Sequence, residues 1–168
     1  LLASDSATNP DFPPLAREAF DRIARGISLE ARLIDDLLDL TRISRGLLKI
    51  EPRVIDLHAV LADAIDVVRA TFESRLMHLA ADLAATETYV SGDPIRLQQV
   101  FWNLLQNAAK FSNDGGRVLV RTRNHSGWIE VTVSDTGIGM SAAELERCFD
   151  TFGQGEHARG GLGLGLSI

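Results

Sequence analysis

Cysteine is almost absent from this sequence: Cys148 is the only one in 168 residues. No internal disulfide can form, and no group of Cys and His has metal-ligand spacing. A reducing, cytoplasmic setting fits this usage, with Cys148 read as a small buried apolar residue. Long hydrophobic runs are also lacking. None approaches the roughly 18 residues that suggest a membrane span, so no membrane segment is expected within the chain. No signal peptide is expected in it either. An excess of positive charge is missing too: the net charge is −6 and the pI about 5.2. Nucleic acid is thereby disfavoured as a partner, because phosphate backbones demand a basic footprint. A small local anion site remains compatible with that charge.

What is present is ordinary globular material, 45% hydrophobic and 24% charged. The length suits one well-cored domain plus an appendage. Residues 1–12 read as the end of a helix running into a loop, and Pro13 and Pro14 suit a new helix start. Over 15–48, Ile23, Ile27, Ile34, Leu37, Leu38 and Leu47 recur at helical spacing, with charges between them. Such a long amphipathic helix needs a partner helix to cover its stripe.

The texture changes after Pro52. A strand is expected at 54–57, a helix at 58–77 with Asp56 as a possible cap, and strands at 78–83 and 89–91. Asp93 and Pro94 look like an N-cap and first helical residue, opening a helix to about Lys110. Its expected apolar face is Ile95, Leu97, Val100, Phe101, Leu104, Leu105 and Ala108. Strands at 117–123 and 128–134 form a hairpin across 124–127. Ser141 and Glu144 make a capping box for a short helix to about Phe149. The class is α+β, a mixed, mostly antiparallel sheet with helices on one face.

Three features carry chemistry. Asn103 and Asn107 are four residues apart on one helix face, with Lys110 a turn further. Amide oxygens beside an ammonium suit a hydrated Mg²⁺ and phosphates. An ordinary polar helix surface would look the same. The second feature is Asp135-Thr136-Gly137-Ile138-Gly139 after a strand. A strand-end carboxylate there can accept from an exocyclic amine, and glycines let the backbone approach a flat ligand. A tight strand–helix turn is the plain alternative. The third is the run 160–168, in which Gly161, Gly163 and Gly165 alternate with leucines including Leu164. Free backbone N–H groups before a helix make an anion site. The Lys-Ser/Thr of a Walker A loop is absent.

In this order the three motifs closely resemble the N, G1 and G2 boxes of the sensor histidine kinases, within the ATPase superfamily shared with gyrase, Hsp90 and MutL. Residues 148–152, with Phe149 and Phe152, look like the F box, and 33–44 resemble the second helix of the dimerisation and phosphoacceptor hairpin. The resemblance implies a partial helical hairpin at 1–50, which would pair in a homodimer. It implies an α/β sandwich of the Bergerat type, binding ATP and Mg²⁺, at 51–168. Asn107 would ligate Mg²⁺ on the phosphates, Lys110 would sit on a phosphate, and Asn103 would line the same site. Asp135 would take the adenine amine, with Gly137 and Gly139 closing on the base. Gly161, Gly163, Leu164 and Gly165 would form the ATP lid's hinge and phosphate-facing end, and Phe149 and Phe152 would pack its root.

Asn103 stands where gyrase-like relatives carry a water-activating Glu, and an amide cannot act as a general base. The implied reaction is therefore transfer of the γ-phosphate to a His, for relay to a response-regulator Asp. The hairpin-like helix disfavours a serine-kinase anti-sigma factor of the same fold. Two departures stand out. The lid at 153–160 is short, with His157 and Arg159 in it. The phosphoacceptor motif is missing, since His58, His78, His125 and His157 all lack its context. The expectation is a fragment cut at both ends, with the acceptor His before Leu1 and the last helix and strand after Ile168. Such a fragment would not autophosphorylate alone and would be marginally stable.

Overall fold

The computed structural model describes residues 37–150, together with Ile23, Gly26, Ile27, Ile34 and Leu166. The chain divides into two compact units, Leu1–Leu47 and Leu48–Ile168. In the first, residues 37–44 are helical, as are Ile23, Gly26, Ile27 and Ile34. The helix stops at Gly46, whose φ of +64° is left-handed. Gly46 N–H donates to Ile43 O (2.9 Å) and Leu47 N–H to Arg42 O (2.7 Å). That pair is the Schellman closure, which favours glycine at this position. The helix therefore ends before the expected Leu48.

The second unit runs β1 (Arg53–Asp56), α1 (Leu57–Ser74), β2 (His78–Leu83), β3 (Tyr89–Gly92), α2 (Pro94–Phe111), β4 (Arg117–His125), β5 (Trp128–Asp135) and α3 (Ala142–Arg147). The expected elements are present, with shifted ends. Asp56 caps α1 by accepting from His58 N–H at 3.0 Å. α1 stops three residues before Met77 because Leu76 turns left-handed, φ +53°. Met77 N–H then folds back to Phe72 O (2.9 Å). Met77 and Phe72 are both buried, so an apolar contact offsets a conformation that disfavours a Cβ by roughly 1–2 kcal/mol.

The strands form two sheets, a β1–β3 antiparallel ribbon and a three-stranded sheet ordered β2-β4-β5. β4 pairs parallel with β2 and antiparallel with β5. Two of the three pairings are thus antiparallel, and the one parallel pairing makes the larger sheet mixed. The β4–β5 hairpin closes on Ser126 and Gly127, both at positive φ, as a two-residue turn matched to strand twist requires. Along β4, Val118, Val120 and Thr122 are buried while Arg117, Arg121 and Arg123 face solvent. The buried face joins α1 (Leu61, Val68, Phe72) and α2 (Phe101, Leu105) in one core. Burying Phe72 alone contributes about 1.5–3 kcal/mol. Among the described residues no helix is long and apolar enough to cross a membrane.

Candidate functional site

α2 is fixed at its start. Asp93 accepts from Ile95 N–H (3.0 Å) and Arg96 N–H (3.3 Å), with Pro94 in the first turn. Its second oxygen accepts from Glu51 N–H at 3.1 Å. These donors, Glu51 first, hold the Asp93 carboxyl below the usual carboxylate range. The helix then turns Phe101, Leu105, Ala108 and Ala109 inward. Ile95 (72% exposed) and Val100 do not belong to the buried face. They sit roughly 100–120° around the axis from Phe101.

Asn103 is buried, 7% exposed. Asn107 and Lys110 are half-buried and lie within about 60° of each other and of Asn103 around the helix axis. Lys110 Nζ lies 4.9 Å from the Phe111 ring centroid. Burial pushes the Lys110 ammonium below the ordinary lysine value, so an anion beside it would relieve a standing penalty.

Asp135 ends β5, paired with Val118, and is exposed. Its Oδ1 accepts from Gly137 N–H at 2.8 Å. The loop then docks on α2, where Ile138 N–H donates to Phe111 O at 3.1 Å. A Cβ on Gly137 would stand 2.7 Å from Phe111 O and 2.7 Å from Asp135 Oδ1. Only glycine fits that approach. Gly139 takes φ +68° in open space. Thr136 Oγ1 accepts from Arg117 N–H at 2.9 Å, and Thr136 N–H donates to Arg117 O at 3.1 Å.

The fold thus brings the last turn of α2, with Lys110, against the loop of Asp135, Gly137 and Gly139. Gly161, Gly163, Leu164 and Gly165 lie outside the described residues, as do Phe152, His157 and Arg159. Phe149 is 71% exposed, so no described residue packs it into a lid root. Cys148 is half-buried rather than buried. The histidines have other places. His58 Nε2 meets Thr122 Oγ1 at 2.9 Å, His125 Nε2 meets Glu130 Oε2 at 3.1 Å, and His78 is exposed in β2.

The Phe111 carbonyl and Thr136 hydroxyl escaped the sequence reading. A backbone acceptor has no side-chain signature, and Thr136 passes for loop filler. Among the described residues no group of three or more His, Cys, Asp or Glu could hold a metal. Any Mg²⁺ here would depend on neutral amide oxygen and on phosphate oxygens, which suits an ion that keeps its waters.

Residues 92–168 match the family described as histidine kinase-, DNA gyrase B- and HSP90-like ATPases. The chain carries a histidine-kinase ATPase domain. Over 139 residues, 81% of this chain, it is 33% identical to the histidine protein kinase DivJ of Caulobacter vibrioides. It spans 23% of that kinase's length. The mycobacterial sensor histidine kinase MprB matches with a TM-score of 0.60 at 29% identity, over 71% of this chain and 74% of that one. ShkA, solved full-length in complex with AMPPNP, matches with a TM-score of 0.74 at 22% identity, over 99% of this chain and 35% of that one. This last likeness concerns fold alone. Within the histidine-kinase ATPase domain, the Asn-Asn-Lys helix and the Asp-x-Gly-x-Gly loop fall inside the matched span.

Proposed function

We propose that this chain binds Mg-ATP between the C-terminal half of α2 and the 135–139 loop, and donates the γ-phosphate to a histidine on a dimerisation hairpin. The observation that carries it is the Ile138–Phe111 hydrogen bond of 3.1 Å. It fastens the Asp135 loop to the peptide next to Lys110. Asp135 then accepts from the adenine amine, and Gly137 lets the backbone lie close to the base. Asn107 holds Mg²⁺ through its amide oxygen, and Lys110 meets a phosphate oxygen. Gly161, Gly163, Leu164 and Gly165, which lie outside the described residues, would cover the phosphates, and Asn103 would support the same site. Bound Mg²⁺ supplies charge neutralisation on the phosphates.

Phosphoryl transfer asks the protein mainly for positioning and electrostatic stabilisation. Asn103 offers no base to activate water, which favours transfer over hydrolysis. The family match at 92–168 supports the nucleotide. A partial hairpin at 1–50 would pair with a second copy of the chain, and a response-regulator receiver domain would take the phosphate onward. The reading puts this segment in the cytoplasm.

The test is calorimetric titration with Mg-ATP, followed by incubation with a separate hairpin carrying a phosphoacceptor histidine. Wild type should bind and transfer, whereas Asn107→Ala should lose Mg-dependent binding while keeping its circular dichroism. Binding that ignores both Mg²⁺ and Asn107→Ala, or binding without transfer, would count against the reading.

A further inference from the structure

The guanidinium of Arg75 reaches across 34 to 39 residues of sequence to the far end of α2. Its Nη1 donates to Ala109 O, Nη2 to Ser112 O at 2.9 Å, and Nε to Asp114 Oδ1 at 2.8 Å. The last carbonyls of a helix have no intrahelical partner, and that end carries partial negative charge. A planar fork of donors answers both needs at once. The Arg75 backbone joins in, since Gly115 N–H donates to Arg75 O at 3.0 Å. One residue thus ties the end of α1, the last turn of α2 and the turn at 113–116 together. The side chain is 27% exposed, so part of this network is shielded from water.

The carbonyls that Arg75 holds bracket Lys110 and Phe111. Phe111 O is the acceptor on which the 135–139 loop docks. We infer that Arg75 is a positioning residue for the nucleotide site: it sets the last turn of α2, and so the relation of Lys110 to the Asp135 loop, without touching the ligand. Leu76 and Met77 aim it. The left-handed turn at Leu76 ends α1 immediately after Arg75. The inference rests on the ATP reading of the site.

The test compares wild type, Arg75→Met, Arg75→Lys and Val60→Ala. Val60 is buried near the start of α1, roughly 22 Å along the helix from Arg75 at 1.5 Å per residue. It serves as a destabilised control away from the site. Each is titrated with Mg-ATP, melted, and followed by amide hydrogen exchange over residues 108–112 without nucleotide. Arg75→Met should weaken Mg-ATP binding by about tenfold, as the displacement of Lys110 would if it cost one charge-assisted hydrogen bond to phosphate. It should also speed exchange at 108–112. Arg75→Lys, keeping the charge but not the fork, should fall between. Val60→Ala should lower the melting temperature and leave affinity unchanged. Equal affinity for wild type and Arg75→Met, or equal losses in Arg75→Met and Val60→Ala at matched melting temperature, would overturn the role of Arg75. If wild type binds no nucleotide, the proposed function falls, and the positioning role with it.

Discussion

Replacing Gly137 by alanine tests the junction between α2 and the loop after β5. The added Cβ would lie 2.7 Å from Phe111 O, 3.0 Å from Phe111 C and 2.7 Å from Asp135 Oδ1. Phe111 belongs to the last turn of an anchored helix, so the loop must give way. Restoring an ordinary contact of about 3.4 Å moves it by about 0.7 Å. The Ile138–Phe111 hydrogen bond, 3.1 Å long, would stretch to about 3.8 Å and be lost. Asp135 must rotate as well, giving up its bond from Gly137 N–H. Overpacking and two lost hydrogen bonds together amount to roughly 3–4 kcal/mol of stability. The displaced carboxylate should weaken nucleotide binding by about 10–100-fold, the worth of a hydrogen bond to a charged group. Gly127→Ala is the control. Gly127 has φ +90° in open space at the hairpin turn, so it should lose roughly 1 kcal/mol of stability and no affinity. Denaturant titration and calorimetry read the two quantities separately. A Gly137→Ala chain that binds Mg-ATP as tightly as Gly127→Ala would refute the reasoning.

Two further perturbations address other parts of the fold. Burial lowers the Lys110 pKa, so the folded chain sheds this proton before the unfolded chain does. Stability should therefore rise with pH from that lowered value towards about 10.4. Mg-ATP affinity should fall over the same window as the ammonium is lost, and Lys110→Met should be flat; parallel pH profiles for the two would exclude Lys110 as the phosphate contact. Thr122→Val removes a fully buried hydroxyl that accepts from Ala85 N–H (3.3 Å) and meets His58 Nε2 (2.9 Å). It should destabilise by about 1–3 kcal/mol in denaturant titration and leave nucleotide affinity unchanged, and a neutral result would deny that this hydroxyl holds the β2–β3 connection.

The legible parts of the chain were those whose physics is local. Asp93 and Pro94 announced α2, and Ser141 with Glu144 announced α3, because a cap is written in adjacent residues. The end of α1 was not legible. Leu76 reads as one more helical leucine, and its left-handed turn is stabilised by Met77 meeting the core, a tertiary event. The parallel pairing of β2 with β4 is likewise set by distant partners. At the candidate site, the side chains that the proposal relies on, Asn103, Asn107, Lys110 and Asp135, have distinctive chemistry that is visible in the sequence. The groups that seat the loop are not visible there. They are a main-chain oxygen at Phe111, which docks the loop on α2, and a hydroxyl at Thr136, which ties it to the start of β4, and the importance of each depends on what folds beside it.

The bond between Ile138 and Phe111 also bears on how a ligand would be felt. It links the element of the proposed phosphate contacts to the loop of the proposed base contact through a single peptide. A purine pulling on the loop would load the terminal turn of the helix, and a triphosphate drawing on Lys110 would load the loop in return. Occupancy at either end of the nucleotide would thus be transmitted to the other as a mechanical displacement, with the Phe111 peptide as the fulcrum.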